Sequence, residues 1–125
     1  MCALSREHGA WQVKSMGDGV MIWAPDAGRA MALAAHTVEE VGSREDLLPV
    51  RVGVHTGSAV MRGCDWYGSA VNVAARLATE AAPNEALVSA ATRDAARGAD
   101  APMLSGRREL IPRGVARPVS VWRLA

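Results

Sequence analysis

Apolar positions fall into short runs whose spacing changes repeatedly along the chain, and each change marks an element. Ala10 to Met16 and Val20 to Ala24 read as strands. Gly17-Asp18-Gly19 lies between them, and glycine with aspartate between apolar runs is a strong hairpin signal. Pro25 and Asp26 open a helix, with Asp26 as its N-cap. Ala27, Ala30, Met31, Ala34, Val38 and Val41 then recur at helical spacing, and Gly42 is expected to end the run. Val50, Val52 and Val54 alternate with Arg51, Gly53 and His55, the pattern of a half-buried strand. Thr56-Gly57 turns the chain toward a second short strand, Ser58 to Arg62.

A second helix is predicted from about Ser69 to Ala81, with Ala70, Ala74, Leu77, Ala78 and Ala81 as its core stripe. Pro83-Asn84-Glu85 makes a turn, Ala86 to Ser89 a short strand, and Ala90 to Arg97 a weaker helix. Gly98 to Arg108 reads as loop, and Val119 to Leu124 closes the chain as a strand. Only a short helix end is expected before Trp11. This order is α+β, with helices packed on a sheet.

Composition narrows the function classes. The 125 residues suit one domain, half of them are apolar, and the formal net charge is +1. That charge gives no general pull toward nucleic acid or membranes. No apolar run approaches the roughly 20 residues that span a bilayer, and no signal-peptide pattern opens the chain. Cys2 and Cys64 are too few for a disulfide framework, which fits a reducing cytoplasm. Among 14 basic residues, Lys14 is the single lysine. A GC-rich genome favours arginine codons, so the surviving lysine stands out.

Three segments carry candidate chemistry. Asp18, at a glycine-flanked tip, suits either a plain turn or a hard cation that takes oxygen ligands and phosphates. Arg51 and His55 share a strand face with Gly53 between them. The missing side chain admits a ligand or another backbone, and Arg51 is either a solvated edge residue or a phosphate donor. His55 has no nucleophile nearby in sequence, so it is read as supporting the turn. Asn72 and Arg76, four apart, share the helix face opposite the core stripe. That face is either wet surface or part of a site.

Together the segments resemble the class III adenylate/guanylate cyclase catalytic domain. The resemblance rests on Lys14-x-x-Gly17-Asp18-Gly19, on Arg51-x-Gly53-x-His55-x-Gly57, and on Asp65-x-Tyr67-Gly68-x-x-Val71-Asn72-x-x-x-Arg76. Arg113-Gly114 followed by Pro118-Val119-Ser120-Val121 adds to it. It implies a ferredoxin-like fold and a head-to-tail homodimer that converts ATP or GTP to the 3′,5′-cyclic monophosphate and pyrophosphate. It further implies Mg²⁺ or Mn²⁺, with Asp18 as a metal ligand and Arg51 at the phosphates from the same subunit. From the other subunit, Lys14 and Asp65 would meet the base, Asn72 the ribose region and Arg76 the transition-state phosphate. Arg113 stands where many members have a lysine that meets the terminal phosphates. An ammonium and a carboxylate match N1 and the N6 amine of adenine, whereas guanine reverses that donor–acceptor pair, so ATP is the expected substrate.

The same resemblance expects an opening strand with a Phe-x-Asp signature and a second metal carboxylate, and nothing before Lys14 carries them. The chain, residues 1–125, is therefore expected to be a single partial domain lacking the first strand and helices, with impaired turnover. A non-catalytic cyclase-homology module, serving dimerisation or nucleotide sensing, is the alternative.

Overall fold

In the computed structural model the described residues are 3–5, 10–16, 19–24, 26–46, 48–57, 60–62, 65–96, 104–111 and 118–124, with backbone alone for 3–5, 10–16, 19–23, 60–62, 65–67 and 69. The expected hairpin forms from β2 (Ala10–Met16) and β3 (Gly19–Trp23), which pair antiparallel with Met16 opposite Gly19. A register shift between Gln12 and Lys14 leaves Val13 as the extra residue of a bulge. A short β1 (Ala3–Ser5) pairs antiparallel with β2, Leu4 opposite Trp11. A strand thus stands where only a helix end was expected. Three residues are too few to display a period, so the pattern could not reveal it.

Asp26 caps α1 (Ala27–Gly42), its Oδ1 accepting from the N–H groups of Gly28 at 2.7 Å and Arg29 at 3.4 Å. Gly42 is the last helical residue and does not supply a left-handed stop. The chain leaves through Ser43 in right-handed conformation, with the Ser43 N–H donating to the Glu39 carbonyl.

A four-stranded mixed sheet forms the centre. Its order is β4 (Arg51–Val54), β7 (Glu85–Ser89), β9 (Val119–Leu124) and β8 (Leu104–Leu110). β4 and β7 run parallel, as strands joined through a helical crossover must, and the other neighbours are antiparallel. The crossover contains a hairpin of β5 (Val60–Arg62) and β6 (Asp65–Tyr67), then α2 (Ser69–Glu80).

Both sheet faces are covered. Met31 and Ala34 of α1 pack with Val54, Ala86, Val88 and Leu124, and Ala96 beyond α3 (Ala90–Ala95) borders that cluster. On the opposite face Leu77 and Ala81 of and beyond α2 pack with Leu87 and Val121. β7 is consequently buried along its whole length, which is why its sequence shows no alternation.

β8 corrects the loop expected over 98–108. Ser105 to Glu109 are all exposed at the sheet edge, so neither face of the strand demands apolar residues. A register shift between Ser105 and Arg108, with Gly106 at φ 61°, and charged side chains are features that keep an edge from pairing with other chains. β6 stands where the sequence pattern assigns no element. Asn84 takes φ 57°, which asparagine tolerates better than most residues. Its Oδ1 accepts from the Val50 N–H at 3.0 Å and its own N–H donates to the Val50 carbonyl at 2.6 Å, fixing the entry to β4.

Candidate active site

α2 is the scaffold that presents most of the described candidates. Leu77 and Ala81 are buried, Ala70, Ala74 and Ala78 are half-buried, and Asn72 and Arg76 are exposed. One turn apart on the same face, they form a polar pair directed away from the sheet, as the sequence pattern implied. The helix begins at Gly68, whose φ of 140° lies where a side chain is strained, and no side chain caps it.

The space at Gly53 is filled by another backbone. A Cβ there would lie 2.5 Å from the Ala78 nitrogen and 2.8 Å from Leu77 Cβ, and still nearer the Ala74 carbonyl oxygen. A Cβ on Gly57 would lie 2.8 Å from Ala70 Cβ. The helix therefore crosses β4 antiparallel, with its start over Gly57 and its middle over Gly53. Arg51, exposed at the beginning of β4 and opposite Glu85 in register, lies toward the C-terminal end of α2. A single copy does not bring Arg51 to Asn72.

Lys14 sits on β2 opposite Met21, one residue after the bulge, and Asp65 sits on β6 opposite Arg62. β2 runs beside β6, and β6 beside the start of α2. Four candidates, Lys14, Asp65, Asn72 and Arg76, thus occupy contiguous elements. Asp18 and Arg113 lie outside the described residues. Among those described, no three His, Cys, Asp or Glu side chains gather as a metal site, and no helix is long and apolar enough to cross a membrane.

Two polar groupings were not singled out by sequence. His55 Nδ1 is 2.7 Å from Ser89 Oγ, Ser89 Oγ is 3.3 Å from Thr92 Oγ1, and Thr92 Oγ1 is 2.9 Å from Thr56 Oγ1. Ser89 and Thr92 are buried, and burial pushes the half-buried His55 imidazole below its ordinary pKa. Ser89 also caps α3, its Oγ accepting from the Thr92 N–H at 3.4 Å. A serine just before a helical run is a readable cap signal, but its second bond to a histidine 34 residues away in sequence is not.

The other grouping surrounds Glu85, which is 8% exposed. Its carboxylate accepts from the Ala82 N–H at 3.0 Å and from Arg108 at 2.9 Å, with Arg123 at 3.8 Å. Burial pushes its carboxyl up, but the Ala82 N–H and the two guanidiniums outweigh it and hold the pKa below the usual range.

A family model described as the adenylate and guanylate cyclase catalytic domain matches residues 1–108. The chain belongs to this family. It is 38% identical over 96 residues to the pH-sensitive adenylate cyclase MT1302 of Mycobacterium tuberculosis, covering 77% of this chain and 24% of that protein. An adenylate cyclase of Streptomyces coelicolor is 38% identical over 97 residues, covering 76% of this chain and 25% of that protein. The chain thus spans about a quarter of the length of these relatives. Among solved structures, the adenylate/guanylate cyclase/hydrolase of Silicibacter pomeroyi superposes with a TM-score of 0.85 at 26% identity, covering 95% of this chain and 73% of that one. The α+β architecture expected from the sequence is therefore that of a cyclase catalytic domain.

Proposed function

We propose that this cyclase chain makes 3′,5′-cyclic AMP and pyrophosphate from ATP, in a site shared between two head-to-tail copies. The observation that supports this reading best is the contiguity of β2, β6 and α2, which groups Lys14, Asp65, Asn72 and Arg76 on one copy. Arg51 stands at the start of β4, toward the C-terminal end of α2 and away from its first turn. A site in which one copy supplies the base and ribose contacts, and the other the phosphate and metal contacts, needs such a division.

The roles follow from charge and shape. The Lys14 ammonium donates to adenine N1 and the Asp65 carboxylate accepts from the N6 amine; guanine offers the reverse. Asn72 orients the ribose so that its 3′-oxygen lies in line with the α-phosphorus. As that oxygen attacks and the bond to pyrophosphate breaks, negative charge grows on the phosphoryl oxygens. Arg76 stabilises it, and stabilisation confined to the transition state raises turnover. Arg51 and Arg113 hold the remaining phosphates, with a fork geometry that a lysine lacks.

Asp18, which the sequence sets between two glycines, is a hard oxygen donor, chemistry that fits Mg²⁺ or Mn²⁺. Such a metal, when bound, lowers the pKa of the 3′-hydroxyl and offsets phosphate charge. The ATP substrate and the absence of a disulfide framework in the sequence support a cytoplasmic location.

The test is cyclic AMP formation from ATP with Mg²⁺ or Mn²⁺, comparing the wild-type chain with Asp18→Ala and Arg76→Ala. Each substitution should lower turnover by about 100-fold or more, the scale of losing one transition-state charge contact. Equal turnover in wild type and Arg76→Ala would overturn the reading.

A further inference from the structure

α1 and α3 each start on a side chain that caps the first turn, Asp26 and Ser89. α2, which carries Asn72 and Arg76, starts on Gly68 with no side-chain cap. Something else must fix where its first turns sit. Packing places two groups there: Gly57, where even a methyl would press on Ala70, and the His55 ring, whose Nε2 lies 3.8 Å from the position of that methyl. The other ring nitrogen, Nδ1, meets Ser89 at 2.7 Å. His55 and Thr56 are thus both bonded to the buried Ser89–Thr92 corner, and Gly57, the next residue, is the one against which the first turn of α2 packs.

The hydrogen bonds along this corner form one directed chain. With the proton on Nε2, Ser89 donates to Nδ1, Thr92 Oγ1 donates to Ser89 Oγ, and Thr56 donates to Thr92 Oγ1. Ser89 Oγ also accepts from the Thr92 N–H, so both of its lone pairs are used, and Thr56 stands at the exposed end. Whichever way the chain runs, the bond from Nδ1 to Ser89 Oγ holds the ring in one orientation.

We propose that His55 is a positioning residue for the Asn72–Arg76 face, holding the start of α2 in register with the sheet through Ser89 on one side and Gly57 on the other. It touches no substrate. The proposal rests on the cyclase reading above for its functional consequence, but its structural content stands separately.

The test uses the whole chain and the variants His55→Ala, His55→Asn and Ser89→Ala, with backbone amide and imidazole ¹⁵N spectra as the deciding readout. Asn places its Oδ1 where Nδ1 stands, so it keeps the Ser89 bond and loses only the outer ring. Wild-type ¹⁵N shifts should report a neutral ring in a single tautomer. His55→Ala and Ser89→Ala should shift the amides of Ala70 to Arg76 and speed their hydrogen exchange at least tenfold, leaving α1 unmoved; His55→Asn should restore much of this. In the turnover assay His55→Ala and Ser89→Ala should lower kcat about tenfold with little change in KM, and His55→Asn should lower it less. Unmoved α2 amides in folded His55→Ala and Ser89→Ala would overturn the proposal whatever the turnover. Displaced amides with Arg76→Ala turning over as fast as wild type would keep His55 as the seat of α2 and sink the cyclase roles instead.

Discussion

In the proposed site, Lys14 and Asp65 are the residues on which substrate choice would turn. Each is on a strand whose neighbour is the other's, β2 beside β6, so two residues 51 positions apart by their numbering can meet one base edge. Replacing both, Lys14→Glu with Asp65→Cys, removes the donor–acceptor match to adenine. The preference for ATP over GTP, measured as the ratio of kcat/KM values, should fall by about tenfold or more; an unchanged ratio would remove the basis for an adenylate type. Glu85 matters in a different way. Its folded pKa lies below the ordinary 4.5, so the unfolded chain takes up its proton first as the medium acidifies. Its contribution is present above about pH 4.5 and is lost as pH falls through the folded value. His55, also held below its ordinary value, acts with the same sign, but from pH 6.5 downward. Thermal melts between pH 3 and 7 should show stability falling toward acid, with a shallower fall below pH 4.5 in Glu85→Gln. A fall equally steep in that variant would show that Glu85 plays no part in it. The role of Glu85 was hidden from the sequence, where it reads as a turn residue, because Arg108 and Arg123 come from strands that pair only in the fold.

At the scale of elements, the contact of α2 with β4 is decided by one missing side chain. Gly53→Ala would drive a methyl into the helix backbone at Ala74 and Ala78, which can yield only if the whole helix moves. We expect a loss of about 2 kcal/mol or more, the upper range for overpacking, read as a lowered denaturant midpoint; a midpoint shift equivalent to less than ~0.5 kcal/mol would contradict the close approach. Whether Gly53 admitted a ligand or a backbone stayed open in the sequence. Elements with a strong period were legible: α1 begins at its aspartate cap and ends at Gly42, and the α2 stripe of Ala70, Ala74, Leu77, Ala78 and Ala81 is the face that meets the sheet. β1, β6 and β8 were not legible. Two are three residues long and the third is exposed on both faces, so no apolar period exists to read.

At the scale of the whole molecule, the proposed division of the site between two copies has a direct test. Asp18→Ala and Arg76→Ala should each be nearly inactive as homodimers, because each spoils both sites. Mixed together, they should regain up to about a quarter of wild-type turnover, since half the dimers are mixed and each has one intact site. Mixing with no recovery would place all the groups in one copy. The sequence by itself determined the family, the hairpin that bears Lys14, and the face shared by Asn72 and Arg76, because these depend on local spacing and backbone preference. It did not determine that β7 lies buried between two helix layers, that Ser89 grips His55, or that Arg51 lies toward the C-terminal end of α2. Those relations join residues tens of positions apart, and only the packing of α2 across a side-chainless stretch of β4 brings them about.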